Sequence, residues 1–265
     1  MCKYFKISRS GYYKWREKSK KCDKDEYLRD LIVKCQIKNR NCYGYRRVKI
    51  WLLREYGLTV NHKSVLRIMN KYGLLSEIRR KKYYKRYTQG VLRYKNILKG
   101  NFTAQMPNQK WTTDITYIKT DHGILFLLVI KDLYDGYIVS YKMSKNNQTY
   151  SLVDKTIRSA LAELKPTDKV ILHSDQGKQY TSREYRKITE ENNITPSMSK
   201  PGTPIDNSPV ESFFSVLKSE CLKHNNFDSF DSAIASVHDY IYYYNYERIQ
   251  LRSGLTPFEI RSSFV

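Results

Sequence analysis

Apolar side chains recur with a helical period through the first 75 residues of this chain. Leu28, Leu31, Ile32 and Cys35 follow one another at three- and four-residue steps, which predicts a helix over 25–40. After Tyr43-Gly44-Tyr45 a second helix is predicted over 46–56. It places Val48, Trp51, Leu52 and Tyr56 on one face, and Gly57 stops it. Asn61 is placed to N-cap a third helix, with Val65, Leu66, Ile68 and Met69 inside and Gly73 at its end. Two helices joined by a short Gly-containing turn, the second bearing His62, Lys63, Arg67 and Lys71, fit a helix-turn-helix. Any small helical bundle fits the same pattern.

From Pro107 the texture changes. Residues 111–119 alternate like a strand, Asp121-His122-Gly123 has turn chemistry, and 124–133 and 136–143 read as two more strands of a meander. A helix over 148–164, a short buried strand over 170–173, a helix over 182–193 and a strand over 194–198 follow. Residues 200–207, with two prolines and a glycine, read as a loop. Two helices close the chain, 208–224 with Pro209 at its first position and 230–246. The order βββ-α-β-α-β-α predicts a mixed sheet with flanking helices rather than a doubly wound parallel one.

Charge adds what periodicity cannot. The chain carries 48 Lys+Arg against 26 Asp+Glu, a net of +22, which points to a polyanionic partner such as nucleic acid. Residues 1–106 hold 29 basic and 7 acidic side chains, and residues 107–265 hold 19 of each. The whole excess therefore lies in the first part, which predicts a basic region that grips duplex DNA ahead of a charge-balanced domain with another task. Residues 78–99 contain nine Lys/Arg and no acid, with Tyr83, Tyr84, Tyr87 and Tyr94 interleaved. This run reads as a basic linker along a phosphate backbone, or as a simple spacer. Candidate DNA contacts are Arg46, Arg47, Lys63, Arg67, Lys71, Arg79, Arg80, Lys81 and Lys82.

Other classes are excluded. The longest apolar run, 124–130, has seven residues, and a membrane span needs about 20. The start, Met1-Cys2-Lys3-Tyr4-Phe5, lacks the apolar segment of a signal peptide. The five cysteines (Cys2, Cys22, Cys35, Cys42 and Cys221) are odd in number and form no C-x-x-C pair. That fits reduced thiols in a cytoplasm and argues against a disulfide framework or a cysteine-rich zinc site.

Three carboxylates stand out by position. Asp114 sits mid-strand, where aspartate is depleted. Asp175 follows a buried strand, at the carboxyl end where α/β sites gather. Glu211 opens the helix after Asp206-Asn207-Ser208-Pro209-Val210. Each also has a purely structural reading. Asp114 could face solvent from an edge strand, and Asp175 could serve the turn Asp175-Gln176-Gly177. Glu211 could complete a capping box with Ser208. Converging carboxylates would raise one another's pKa, and hard divalent cations between them would keep them ionised. Oxygen-only ligation suits Mg²⁺ or Mn²⁺. Two such ions about 3.5–4 Å apart can drive an in-line displacement at phosphorus.

The segments WTTDITY (111–117), HSDQGKQY (173–180) and DNSPVESFFSVLKSE (206–220) resemble the D-D-E motif of DDE transposases and retroviral integrases. The second and third acids are separated by 35 residues, that family's spacing, and Lys218 stands at its expected basic position seven after the glutamate. SRSGYYKW (8–15), CYGYRR (42–47) and YNYERIQLRSGLTPFEIR (244–261) are most similar to the B-frame transposases of two-frame bacterial insertion sequences.

The resemblance implies a ribonuclease-H-like core over 107–265, after a helical DNA-binding region over 1–75 and a basic linker over 76–106. It makes Asp114, Asp175 and Glu211 the ligands of two Mg²⁺ or Mn²⁺ ions, and has Lys218 touch substrate DNA. His173 and Asn207 become near-site residues, though His173 reads equally well as a packed core histidine. It further implies DNA strand cleavage and transfer, a homo-oligomer on DNA, and an A-frame partner protein for reading element ends. The His-His-Cys-Cys zinc domain of retroviral integrases has no counterpart here. The rival expectations are a ribonuclease-H-fold nuclease that cuts without joining, and a non-catalytic DNA-binding repressor.

Overall fold

The computed structural model describes residues 8–19, 25–76, 94–146, 148–164, 168–200 and 204–264. The chain forms two compact units, Met1–Ile78 and Arg79–Val265.

The first unit is helical: α1 (Arg9–Ser19), α2 (Glu26–Lys38), α3 (Tyr45–Tyr56) and α4 (His62–Lys71). Periodicity did not predict α1, because none of its described side chains is buried and no apolar stripe marks it. The other three bury Leu31, Ile32 and Cys35, Val48, Trp51 and Leu52, and Val65, Ile68 and Met69. Gly57 ends α3 in the left-handed region at φ +65, which glycine adopts without a Cβ penalty. The Asn61 side chain accepts the Lys63 N–H at 2.9 Å and so caps α4. Buried Gln36 ties the bundle together. Its amide donates to the carbonyls of Tyr43 and Leu74 at 2.9 and 2.7 Å. Tyr56 departs from expectation. As the last residue of α3 it is exposed, and its ring stands edge-on to Trp51 at 5.4 Å.

The second unit is built on a five-stranded mixed sheet. Its strands are β1 (Lys110–Thr120), β2 (Gly123–Asp132), β3 (Ile138–Ser144), β4 (Val170–Ser174) and β5 (Ile194–Met198), in the order β3-β2-β1-β4-β5. β1 to β3 form the antiparallel meander, and β4 joins β1 and β5 in parallel. The parallel pairings require crossovers, supplied by α5 (Thr149–Leu161) and α6 (Arg183–Glu191). These helices pack Leu152, Val153, Ile157, Tyr185 and Ile188 against Trp111, Leu128, Ile130 and Leu172 of the sheet. The mixed sheet with flanking helices is the one expected from the element order, and it is the ribonuclease-H-like architecture that the resemblance implies.

α7 (Ser208–Glu220) and α8 (Phe230–Tyr246) also pack on the meander. α7 stops four residues short of the expected end and is followed by a 3-10 turn, Leu222–His224. A last helix, α9 (Pro257–Ser262), has six residues, too few for a period to reveal. It is fastened by Arg261, which pairs with the fully buried carboxylates of Asp132 and Asp135 at 2.6 and 2.7 Å. Arg248 and Glu220 form a second buried pair at 2.8 Å, joined by the Tyr240 hydroxyl at the same distance. Removing one member of such a pair would strand a buried charge. Among the described residues no helix is long and apolar enough to cross a membrane.

Candidate active site

β1 is the central strand, hydrogen-bonded to β2 on one side and β4 on the other. Asp114 therefore does not face solvent from an edge. Side chains alternate across the sheet, so Trp111, Thr113 and Ile115 turn toward the α5–α6 side. Thr112, Asp114, Thr116 and Ile118 turn toward the opposite face, where α7 lies across β1. The parallel register pairs Thr112 with His173. Two residues further along each chain stand Asp114 and Asp175, just where β1 and β4 cease to pair. Adjacent strands run about 4.8 Å apart, so the two carboxylates are neighbours by register although 60 residues separate them.

The third acid arrives on α7. That helix buries Val210, Phe213, Phe214 and Leu217, and Glu211 lies in its first turn, partly buried. Lys218 follows two turns later on the same face, since seven residues nearly complete two turns. The start of α7 is pinned from below. The Lys131 ammonium at the end of β2 donates to the Pro209 carbonyl at 3.1 Å, and the Asn207 amide donates to the Thr113 carbonyl at 3.5 Å.

The capping box that is the alternative reading of Glu211 does not form. Asn207, not Ser208, occupies the N-cap, and no side chain caps the helix. The fold forms such boxes elsewhere, at Ser229–Ser232 and Thr256–Glu259. The reason is local: the 3-10 turn Pro204–Asn207 runs straight into α7 and draws Ser208 into the helix. Asp175 does close its predicted turn, with Oδ1 accepting the Gly177 N–H at 2.9 Å.

The electrostatics match a carboxylate cluster. Burial, then the charges of Asp175 and Glu211, push the Asp114 carboxyl up to about 8, against the pull of the Ile115 amide and Lys218. Burial raises Asp175 as well. Glu211 is raised by burial and then by the charge of Asp175. The three acids thus sense one another, and Lys218 is the cation that Asp114 senses. Among the described residues no three acids, histidines or cysteines converge tightly enough to hold one ion as they stand. An all-oxygen donor set of this kind fits a hard divalent cation. Asn207 Oδ1 is buried and has no hydrogen-bond partner among the described residues.

His173 is fully buried, with Nδ1 2.8 Å from the Ser197 hydroxyl and Nε2 3.1 Å from that of Ser199. Burial holds its imidazole below its ordinary value. It is a packed, bonded histidine at the foot of the site. Two neighbours escaped sequence reasoning. Tyr180 is fully buried on the far side of β1, 3.2 Å from the Thr113 hydroxyl, and its pKa is raised by burial and by Asp114 and Asp175. Lys131 looks like any strand-end lysine until the fold sets it under Pro209.

In the first unit Asp25 engages two of the candidate DNA contacts. Arg67 grips it with both terminal nitrogens at 2.6 and 2.7 Å, and Lys71 approaches at 3.4 Å. The Arg67 hydrogen bonds hold the Asp25 carboxyl below its usual range. Lys63 is exposed in the first turn of α4, and Arg46 and Arg47 lie over the Tyr45 and Tyr43 rings at 5.5 and 5.8 Å. Arg79, Arg80, Lys81 and Lys82 lie outside the described residues.

Residues 104–204 and 211–263 match integrase core domain families, and residues 23–82 match an HTH-like domain. The chain is 37% identical over 257 residues to a putative transposase for insertion element IS150 of Escherichia coli, spanning 97% of this chain and 90% of that protein. It belongs to the DDE transposase and integrase superfamily, in the B-frame group. The transposase for IS3A of Escherichia coli is 33% identical, covering 97% of this chain and 91% of its own length. A transposase-like protein of Haemophilus influenzae is 42% identical over 79% of this chain and 96% of its own. At the level of fold, a chain of the simian T-cell lymphotropic virus intasome superposes with a TM-score of 0.53 at 18% identity, covering 88% of this chain and 74% of that one. This transposase is accordingly a polynucleotidyl-transfer enzyme with an HTH-like DNA-binding region.

Proposed function

We infer that this transposase cleaves a phosphodiester at the end of its insertion element and joins the freed 3′-hydroxyl to a second DNA strand, using Asp114, Asp175 and Glu211. The observation that supports this reading is that the charges of Asp175, past the end of β4, and Glu211, on α7, both raise the carboxyl of Asp114 on β1. In the first step a water oxygen bonds to phosphorus and the P–O3′ bond breaks, O3′ leaving with the electron pair and taking a proton. In the second, that O3′ bonds to a target phosphorus and displaces the target strand's own O3′.

The three carboxylates would hold two Mg²⁺ or Mn²⁺ ions, which when bound polarise attacking and leaving oxygens in such displacements. Asp114 and Asp175 supply oxygens from the rigid sheet, and α7 brings Glu211 to them. Lys218 offers its charge to a substrate phosphate beside Asp114. The basic first unit and linker hold the duplex, which fixes the scissile bond in place. Joining two ends requires both to be held at once, so the active form is a homo-oligomer on DNA, with an A-frame partner contributing end recognition. The setting is a bacterial cytoplasm.

The test is a strand-transfer assay on DNA carrying the inverted repeats that flank the gene. Joined product in Mg²⁺ or Mn²⁺ supports the reading. Cut ends without joining would make the protein a nuclease, and binding without cutting a repressor.

The DNA-holding role carries its own expectation. Arg46→Ala with Lys63→Ala should weaken duplex binding and flatten log Kd against log[salt] by about 0.9 for each phosphate left unneutralised. Lys119→Ala, an exposed lysine in the charge-balanced part 107–265, should leave that slope unchanged. Equal effects from both changes would refute the division of labour.

A further inference from the structure

Residues 94–98 are built into the site that they precede. They run along β5, the edge strand, where the Lys95 carbonyl accepts the Met198 N–H at 3.3 Å. The Ile97 N–H donates to the Ser197 hydroxyl at 2.9 Å. Leu98 is buried, and the Tyr94 ring stands edge-on to Tyr185 at 6.2 Å. A sheet edge covered in this way is protected from stray pairing, but the contacts reach further.

Asn96 uses both ends of its amide. Oδ1 accepts the Lys99 N–H at 2.8 Å, and Nδ2 donates to Asp206 Oδ2 at 2.9 Å. The same Asp206 oxygen accepts the Lys200 N–H at 3.0 Å. Asp206 sits in the turn Pro204–Asn207, which continues unbroken into α7, so Glu211 follows five residues later. A second route starts at Ile97. Because Ser197 accepts its N–H, the serine hydroxyl hydrogen is available to His173 Nδ1. His173 Nε2 lies 3.1 Å from the Ser199 hydroxyl, and that hydroxyl donates to the Ser174 carbonyl at 3.3 Å. Ser174 immediately precedes Asp175.

We propose that residues 94–98 are a positioning strap for the active site, in which Asn96 sets where Asp206, and hence the first turn of α7, stands relative to Asp114 and Asp175. The inference rests on the D-D-E reading above. Asn96 and Asp206 touch no reacting atom and act through Glu211. A shift of about 1 Å in a catalytic group lowers rates by about 100-fold, so a broken tether should show in turnover rather than in binding.

The experiment uses the full chain, element-end DNA at saturation and Mn²⁺. Asn96→Asp keeps the acceptor for Lys99 and the side-chain size, but sets carboxylate against carboxylate. The cleavage rate at saturation should fall by at least about 10-fold while the DNA Kd stays within about twofold. Asn96→Ser shortens the side chain out of reach of Asp206 without adding a charge, and should lower the rate in the same direction with the DNA Kd again unchanged. Hydrogen exchange gives a readout independent of activity. Amides between residues 205 and 212 should exchange faster in Asn96→Asp, with those of α8 unchanged. An unaltered rate in either variant, a parallel loss of DNA affinity, or unaltered exchange at 205–212 would each overturn the strap. Inactivity of the wild type, or full activity of Glu211→Gln, would instead overturn the D-D-E reading, and the exchange measurement would still decide the strap.

Discussion

Glu211→Gln is expected to abolish cleavage and joining while leaving the metal-free protein as stable as wild type or slightly more so. Glutamine keeps the shape of the side chain and removes its charge. No capping bond is at stake, because Asn207 is the N-cap and no side chain caps α7. Without metal, charge at this position is a cost, since Glu211 is raised by burial and by Asp175. Hard cations bind a neutral amide much more weakly than a carboxylate. Stabilisation by millimolar Mn²⁺, which depends on binding to the folded state, should therefore largely vanish in the variant. The measurement is a melting series with and without Mn²⁺, beside a strand-transfer assay. A variant that keeps both the Mn²⁺ response and activity would remove Glu211 from the site. One that melts far below wild type without metal would show that its side chain supports α7 in another way.

Asp114→Asn should also end catalysis, yet raise the melting temperature of the metal-free protein at alkaline pH. The Asp114 carboxyl is pushed up to about 8 when folded, against an ordinary value of 3.8. Between these values the folded state binds more protons than the unfolded chain, so stability falls as pH rises through the window. The loss is complete above about pH 8 and absent below about pH 4. Asparagine carries no charge to desolvate or repel. With about 2 kcal/mol of this penalty relieved, melting should rise by roughly 4–8 °C at pH 8.5. The gain should shrink on acidification toward pH 4. Differential scanning calorimetry of both proteins in chelator, across pH 4.5–8.5, tests it. A variant that melts lower at pH 8.5, or a difference independent of pH, would contradict a repelling cluster. Excess Mn²⁺ should reverse the ranking, because only the wild type keeps the full set of ligands.

The division between basic and neutral parts, the order of the elements and the identity of three unusual acids were legible in the residues alone. Periodicity found the helices whose one face is buried, such as α3 and α4, and the strands whose sides alternate. It passed over α1, which buries none of its described side chains, and α9, which is shorter than two turns. It also set Tyr56 inside, because spacing knows the face of a helix but not where the neighbouring helices stop.

What the chain could not state was which atoms meet. Asp114 and Asp175 are neighbours because β1 pairs in parallel with β4 in one register, a relation between residues 61 apart in sequence. That Glu211 forms no capping box with Ser208 turned on where the preceding 3-10 turn delivers the backbone. Lys131 under Pro209, the Asp25 clasp on Arg67 and Lys71, and the Asn96–Asp206 tether are likewise contacts between segments far apart along the chain. Local sequence determines period, charge and capping chemistry, because those depend on neighbours within a few residues. Register and crossover connections bring distant side chains within a few ångströms, and only the folded chain fixes those distances.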